Sequence, residues 1–586
     1  MLDSGRSMLA ADSSPRHARF RTFSLSHLLA LSLLLILLTG CADLMQLFVS
    51  DTEVEAPLGL IEETAEPGYP PTMATAARIA DRGTLVVGVR YDLEPFSYVA
   101  ADNRLAGLEI DLARELARRW LGSTEAVRFR QVRSDTAYQY VANGTVDIVL
   151  AGLTHTQDAE MRVDFSPPYF SNGMALLTFP DTGIGGLADL EGRRVGTLDW
   201  TGSRDALAAS VPVTPTYTGY GHFYDVVEAL RMREVDAYAD ERHRLERARR
   251  SLPGATIVGQ WTQEPVGMIF RQDDPFFYNL VQLTFLDMAA DGTRDALFDR
   301  WLPGTSPPTL AQIPGSAPAP TLDASPPQVS TLDVVSRVRD RRSLVVGYYP
   351  NRWPYSADRA DGIPTGFEIR LIEQMVELWL GSTTAVSFVP VTDEGDALAR
   401  LSRGEVDLLV GNWLHTREAE LRYDFSIPIL DDGVGIMSLA GNPINDLAQL
   451  SGQAVGVVSG SSAQAAVPAM SQGVGLSAVG YPDFQAALAG LQAGEVVALL
   501  STRRPALEVH FLQEGYAFSD RRFTYRPVAF VLPEGDSDFR DLVNLTLIAL
   551  ESQGVYQELY SIWFDDPVPQ LLSWPGHAAI SLSVGP

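Results

Sequence analysis

The sequence predicts an α/β protein made of two tandem copies of one globular unit, and three observations predict it. A set of short motifs occurs twice in the same order. Leu85-Val-Val-Gly-Val, Trp120-Leu-Gly-Ser-Thr, Val146-Asp-Ile-Val, His155-Thr and Asp164-Phe-Ser return as Leu344-Val-Val-Gly-Tyr, Trp379-Leu-Gly-Ser-Thr, Val406-Asp-Leu-Leu, His415-Thr and Asp424-Phe-Ser. The spacing is kept, with 259 residues from Trp120 to Trp379 and 260 from Asp164 to Asp424. Solenoid repeats have periods of roughly 20 to 50 residues, so this period is a whole domain. Within each copy, β-branched runs alternate with amphipathic helical stretches, and that alternation predicts parallel sheet.

The first element is a leader. Arg16, Arg19 and Arg21 precede an apolar run over 28–38, followed by Thr39, Gly40 and Cys41. A charged start, a short apolar core and small residues before the cut describe a secretory signal, and the run is short for a membrane span. Leu38-Thr39-Gly40-Cys41 resembles the bacterial lipobox, which implies cleavage before Cys41 and lipidation of its thiol; an ordinary signal peptide or a helical anchor is the alternative. Two or more acyl chains anchor stably. Cys41 is the one cysteine of 586 residues, so no disulfide can form within the chain. Residues 42–75, with Pro57, Pro67, Pro70 and Pro71, read as a tether.

The first unit is expected over 76–305. In it 84–89 and 146–151 read as strands, and 110–121 and 224–231 as helices. Eight prolines between Pro303 and Pro327 then predict an extended linker over 306–333 and two separately folding units. The second unit, 334–567, repeats the order with strands at 344–348 and 406–410 and a helix at 369–380. Residues 568–586 read as a tail. Ligand sites in such folds lie beyond the carboxyl ends of strands and near helix starts.

Charge excludes one class of partner. The formal balance is −28 and the chain contains no lysine, so every fixed positive charge is arginine. Such a surface repels nucleic acid.

The ordered motifs resemble the extracellular solute-binding proteins of family 3, the type II periplasmic receptors for amino acids and similar solutes. The residues that carry the resemblance include Gly107-Leu-Glu-Ile-Asp-Leu, Val146-Asp-Ile-Val-Leu-Ala-Gly-Leu-Thr, Asp164-Phe-Ser-Pro-Pro-Tyr, Leu190-Glu-Gly-Arg-Arg-Val-Gly and Val235-Asp-Ala-Tyr-Ala-Asp. The second unit repeats Gly366-Phe-Glu-Ile, Val406-Asp-Leu-Leu-Val-Gly, Asp424-Phe-Ser and the Gly460-Ser461-Ser462 turn. The resemblance implies two tandem type II periplasmic-binding-protein-like units, each of two α/β lobes with a two-strand hinge. It also implies hinge closure over a small ligand, recognised by an ABC permease in the membrane, with no bond made or broken and no cofactor or metal.

Site residues follow from the same resemblance. Asp240 matches the aspartate that accepts a ligand's α-ammonium, and Thr154 would add a second acceptor beside Gly152. Thr201 and Ser203 stand where the family grips the carboxylate, as do Ser461 and Ser462, although these hydroxyls are equally suited to helix capping. Tyr91 and Phe96 lie in the loop after the first strand, near the family's stacking position, which is Leu93 here. Arg352 and Trp353 occupy that loop in the second unit. The pattern departs from the family at one central point: the arginine that clamps the α-carboxylate is replaced by Ala159 and Ala419, with Arg162 and Arg422 one helical turn on. Ser501 replaces Asp240 and Leu414 replaces Thr154. His155 and His415 recur without metal-ligand spacing.

Two other classes stay open. A dehydratase on this fold needs a cleft carboxylate as general acid or base. A fused lytic enzyme is disfavoured by the short stretch after Trp563, and hydrolase and phosphate-loop signatures are missing. A sensor would pass its signal through a separate protein.

Overall fold

Each of the four lobes is organised around a five-stranded sheet. The structure is a computed structural model that describes residues 73–322, 324, 333–512, 515–564 and 567–575. The expected signal segment, lipidated Cys41, most of the tether and the last eleven residues lie outside the described residues.

In the first lobe of module one the strand order is Val127–Gln131, Leu85–Val89, Ile148–Leu150, Ile269–Phe270, Asp164–Phe165. The first three are parallel, and the last two are joined antiparallel. The second lobe runs Thr216–Tyr220, Arg194–Leu198, Ala237–Glu241, Met174–Thr178, Thr256–Val258, again with three parallel strands and antiparallel additions. The sheets are therefore mixed, where alternation predicted parallel ones. Strand–helix–strand crossovers supply only the parallel set; Ile269–Phe270 returns through the hinge and enters from the opposite end.

That hinge is a two-stranded antiparallel pair, Phe170–Asn172 with Glu264–Val266. Module two repeats both five-stranded orders and has its own pair, Leu430–Asp431 with Pro527–Val528.

Two repeated motifs have structural explanations. Asp147 of Val146-Asp is buried, accepts the N–H of Val86 at 2.8 Å and pairs with Arg78 and Arg82; Asp407 does the same with Val345, Arg337 and Arg341. Both fix a strand against the helix that precedes it. Gly107 and Gly366 open the long helices Leu108–Leu121 and Phe367–Leu380 at φ values of 130° and 129°. A Cβ there would lie 2.0 Å from the Phe96 oxygen and 2.3 Å from the Tyr355 oxygen, so glycine is required on two counts.

The modules do not behave as separate beads, because they form one compact unit. Two helices meet across the interface, Pro275–Ala290 of module one and Ser537–Ser552 of module two. Gln272 donates to Asp541 at 2.8 Å, Asn279 donates to the Glu420 carbonyl at 2.9 Å, and Asp273 N–H to Ser537 at 3.1 Å. The proline-rich connection joins this contact instead of standing free. Leu310 is buried against Leu283 and Leu286, and the Pro314 carbonyl accepts the N–H of Arg417 at 2.9 Å. Residues after module two mirror this on module one: the Pro575 carbonyl accepts the N–H of Gln157 at 3.0 Å, and Trp574 stacks on His155. Each module's trailing segment thus clasps the other module. Prolines kept these segments extended, as composition predicts, but extended backbone leaves carbonyls free to accept bonds, and the few interspersed apolar side chains found burial.

Candidate functional site

In folds of this kind the ligand cleft lies beyond the carboxyl ends of the parallel strands, and here the residues at those ends are positioned by short turns. In module one, Gly202 adopts φ 67° before the helix Ser203–Ser210, and this turn delivers Thr201 and Ser203 to the edge of the second lobe. The adjacent strand Ala237–Glu241 delivers Asp240. The three form one network: Thr201 and Ser203 hydroxyls are 2.5 Å apart, and Ser203 donates to Asp240 at 2.8 Å.

Asp240 is fully buried and accepts three further bonds, from Tyr238 hydroxyl at 2.5 Å, Glu241 N–H at 2.8 Å and Arg244 at 2.9 Å. Burial and the nearby Asp240 charge push the Tyr238 phenol far above its ordinary range, so it stays a donor. Arg244 also lies over Trp200, whose side chain is largely exposed. No sequence motif pointed to Arg244, which stands in the first turn of the helix Arg242–Arg250 and pairs back to Asp240 at the end of the preceding strand.

The first lobe contributes Thr154, bridged to Val266 of the hinge. Gly152, at φ 66°, uses its N–H internally, donating to Glu109 at 2.7 Å. Glu109 also accepts from Ser97 and Tyr169, both at 2.5 Å, and burial raises its pKa against those bonds. Glu368 ties the N–H groups of Gly411 and Asn412 in the same way, and burial pushes it up to about 7. These glutamates brace the cleft floor in both modules.

Several expected site residues are placed elsewhere. Phe96 is 2% exposed and packs edge-to-face on Phe170 at 4.8 Å, so it belongs to the core. Tyr91 leans against that core, and burial pushes its phenol up to about 12. Trp353 likewise packs on the core of module two. Arg162 does not substitute for an arginine at Ala159; its guanidinium rests 4.7 Å over Tyr138 and donates to the Asp158 carbonyl. Arg422 is exposed one residue from the module contact made by Leu421. Gly152's N–H is spent on Glu109. His155 and His415 face the module interface, bonded to Glu160 at 2.5 Å and Glu420 at 2.6 Å and stacked on Phe165 and Phe425.

In module two Ser461 caps the helix Ser462–Met470 by accepting from Gln464 N–H at 3.2 Å. Ser501 is buried and donates to the Thr502 carbonyl at 3.0 Å. Arg352 stands at the position of Leu93, its guanidinium 3.4 Å over Tyr349 and bonded to the Gly411 carbonyl at 2.8 Å.

Paired α/β lobes on a two-strand hinge, present twice in one chain, with a polar network at the strand ends of the first module, define a solute-binding receptor of the clamshell type. The chain belongs to the bacterial extracellular solute-binding proteins, family 3, which match residues 85–304 and 344–566. Its location is accordingly extracytoplasmic, and no helix among the described residues is long and apolar enough to cross a membrane. Relatives include the ABC transporter glutamine-binding protein GlnH of Bacillus subtilis, 24% identical over 231 residues, which are 39% of this chain and 84% of that protein. The L-glutamate/L-aspartate-binding protein of Pseudomonas aeruginosa is 29% identical over 252 residues, 40% of this chain and 82% of that one. Among solved structures, an ancestral cationic amino acid solute binding protein is 29% identical with a TM-score of 0.35, over 39% of this chain and 99% of that one. The periplasmic domain of BvgS from B. pertussis is 17% identical with a TM-score of 0.32, over 86% of this chain and 95% of that one.

Proposed function

We propose that the chain is a lipid-anchored receptor, tethered through Cys41, whose first module binds an amino acid or similar small polar solute and presents it to an ABC permease without transforming it. The observation that carries this reading is the Thr201–Ser203–Asp240 network on one lobe of a hinged pair, with Thr154 on the other. Hinge closure brings the two edges together, and ligand contacts to both lobes stabilise the closed state.

The structure suggests how such a site works without the family's arginine at Ala159. Asp240 is neutralised by Arg244. An incoming α-ammonium takes the place of Arg244 on the carboxylate, and the freed planar fork turns to the ligand's own carboxylate. Trp200 beside Arg244 supplies a ring at the rim.

Binding to the folded state alone raises its melting temperature. In the full chain purified in detergent, some member of an amino-acid panel raises the midpoint, and Asp240→Asn, which keeps the side-chain shape, removes that shift. A shift retained in Asp240→Asn overturns the assignment, as does a panel with no response.

A further inference from the structure

The second module's cleft is chemically unlike the first. Where module one has the acceptors Thr154 and Asp240, module two has Leu414 and buried Ser501. What it adds is positive charge. Arg352 follows the first strand of the first lobe, Leu344–Tyr348, and Arg504 is the second residue of the helix Arg503–Leu512, after the strand Ala498–Ser501 of the second lobe. Both stand just past carboxyl ends of strands, one on each lobe, near enough for the charge of Arg504 to bear on Arg352.

Neither arginine is paired in an ion bridge among the described residues. Arg352 is half-buried, sits 3.4 Å over Tyr349, approaches Trp413 at 5.9 Å and donates one N–H to the Gly411 carbonyl, and no carboxylate accepts from its fork among the described residues. Arg504 uses its backbone N–H on Asp432 at 3.3 Å, and its guanidinium has no partner there. Desolvation, with the Arg504 charge adding to it, holds Arg352 below the usual arginine range, although Tyr349 and the carboxylates of Glu368 and Glu394 pull the other way. A half-buried guanidinium usually has a carboxylate against it, because desolvating an unpaired charge is costly. Aromatic stacking and one carbonyl compensate only part of that cost.

We propose that the second module binds a small organic carboxylate that lacks an α-ammonium group, held by Arg352 on one lobe and Arg504 on the other. A bidentate carboxylate–guanidinium pair satisfies the fork of Arg352. The same anion removes the repulsion between the two arginines, so its arrival lets the lobes close. Leu414 and Ser501 offer nothing to an ammonium, which separates this ligand from the one assigned to module one. The inference rests on the receptor reading of the fold but on no residue of the first cleft.

The test is thermal unfolding and calorimetric titration of the full chain in detergent, at matched ionic strength, with succinate and benzoate against propylamine and benzylamine. The carboxylates are expected to raise the midpoint saturably and the amines to leave it unchanged. Arg352→Leu, which keeps an apolar cover on Tyr349, should weaken carboxylate binding at least tenfold, and Arg504→Gln should weaken it from the other lobe. No saturable response to either carboxylate overturns the proposal, and so does a response that survives both substitutions. An amino-acid response that persists while the carboxylates fail sinks this proposal alone. Carboxylate binding without an amino-acid response sinks the first-module reading alone.

Discussion

Arg540 of the second module donates a hydrogen bond to Asp164 of the first, with side-chain exposures of 3% and 1%. It is the central cation of the module contact. Asp424 at 3.9 Å and Asp541 at 3.8 Å also face it, and Tyr278 from module one lies 4.3 Å below its guanidinium. Removing one partner of a buried pair strands the other charge and costs roughly 3 to 5 kcal/mol. Arg540→Met is therefore expected to lower the melting temperature by several degrees and to split one calorimetric transition into two, as the modules lose their coupling. A single unshifted transition would show that the contact contributes nothing.

The same contact makes stability depend on pH. Burial, against the pull of Arg540, pushes Asp164 up to about 7 and Asp424 up to about 6, with Glu160 and Glu420 adding repulsion. Glu534 and Asp541 are pushed up for the same reason. A raised carboxyl pKa means that the folded state prefers the protonated form. Its contribution is complete below the unfolded value of about 4 and is lost as pH rises through about 6 and 7. Wild-type melting temperature is expected to fall from pH 5 to pH 8 more steeply than that of Asp164→Asn, measured by scanning calorimetry. Parallel profiles would remove Asp164 from the account.

Trp574 is 8% exposed and stacks on His155 at 4.3 Å, while Gln157 holds the Trp574 and Pro575 carbonyls. Truncating a buried tryptophan costs roughly 3 to 5 kcal/mol. Trp574→Ala should lower the urea midpoint and speed amide exchange of Gln157. Exchange that stays slow would mean that the clasp holds without its ring.

Glu109 satisfies three donors at the floor of the first cleft. Glu109→Ala leaves them buried without an acceptor, a loss on the order of 3 kcal/mol or more. It should lower stability and weaken ligand binding together, because the Gly152 turn loses its anchor. Glu109→Gln, which keeps an acceptor for two of them, should recover part of both; equal loss in the two variants would refute this geometry.

Much of the fold was legible in the residues. The Val-Asp and Gly-x-Glu motifs recur because a buried aspartate bonding a strand N–H, and a glycine touching a carbonyl, are local demands that one or two residues meet. The hinge was expected only through the resemblance, to which Asp164-Phe-Ser and its repeat contribute. The site was legible only in part. Thr201, Ser203 and Asp240 come together, but Arg162 sits on Tyr138, and the arginine that reaches Asp240 is Arg244. Helical spacing puts Arg162 one turn from Ala159 in sequence; the direction of a long side chain is chosen by whichever ring or carboxylate lies beside it.

The sequence by itself determined that this chain carries two α/β units with one plan, since motif order and spacing are properties of the chain, while the clamshell came from the resemblance those motifs carry. Only the tertiary structure decided that the units are clasped into one body and that one of the repeated histidines, His155, stacks in that clasp. Buried pairs such as Arg540 with Asp164 join residues 376 positions apart, and no local pattern encodes a contact whose energy exists only once both surfaces have left water.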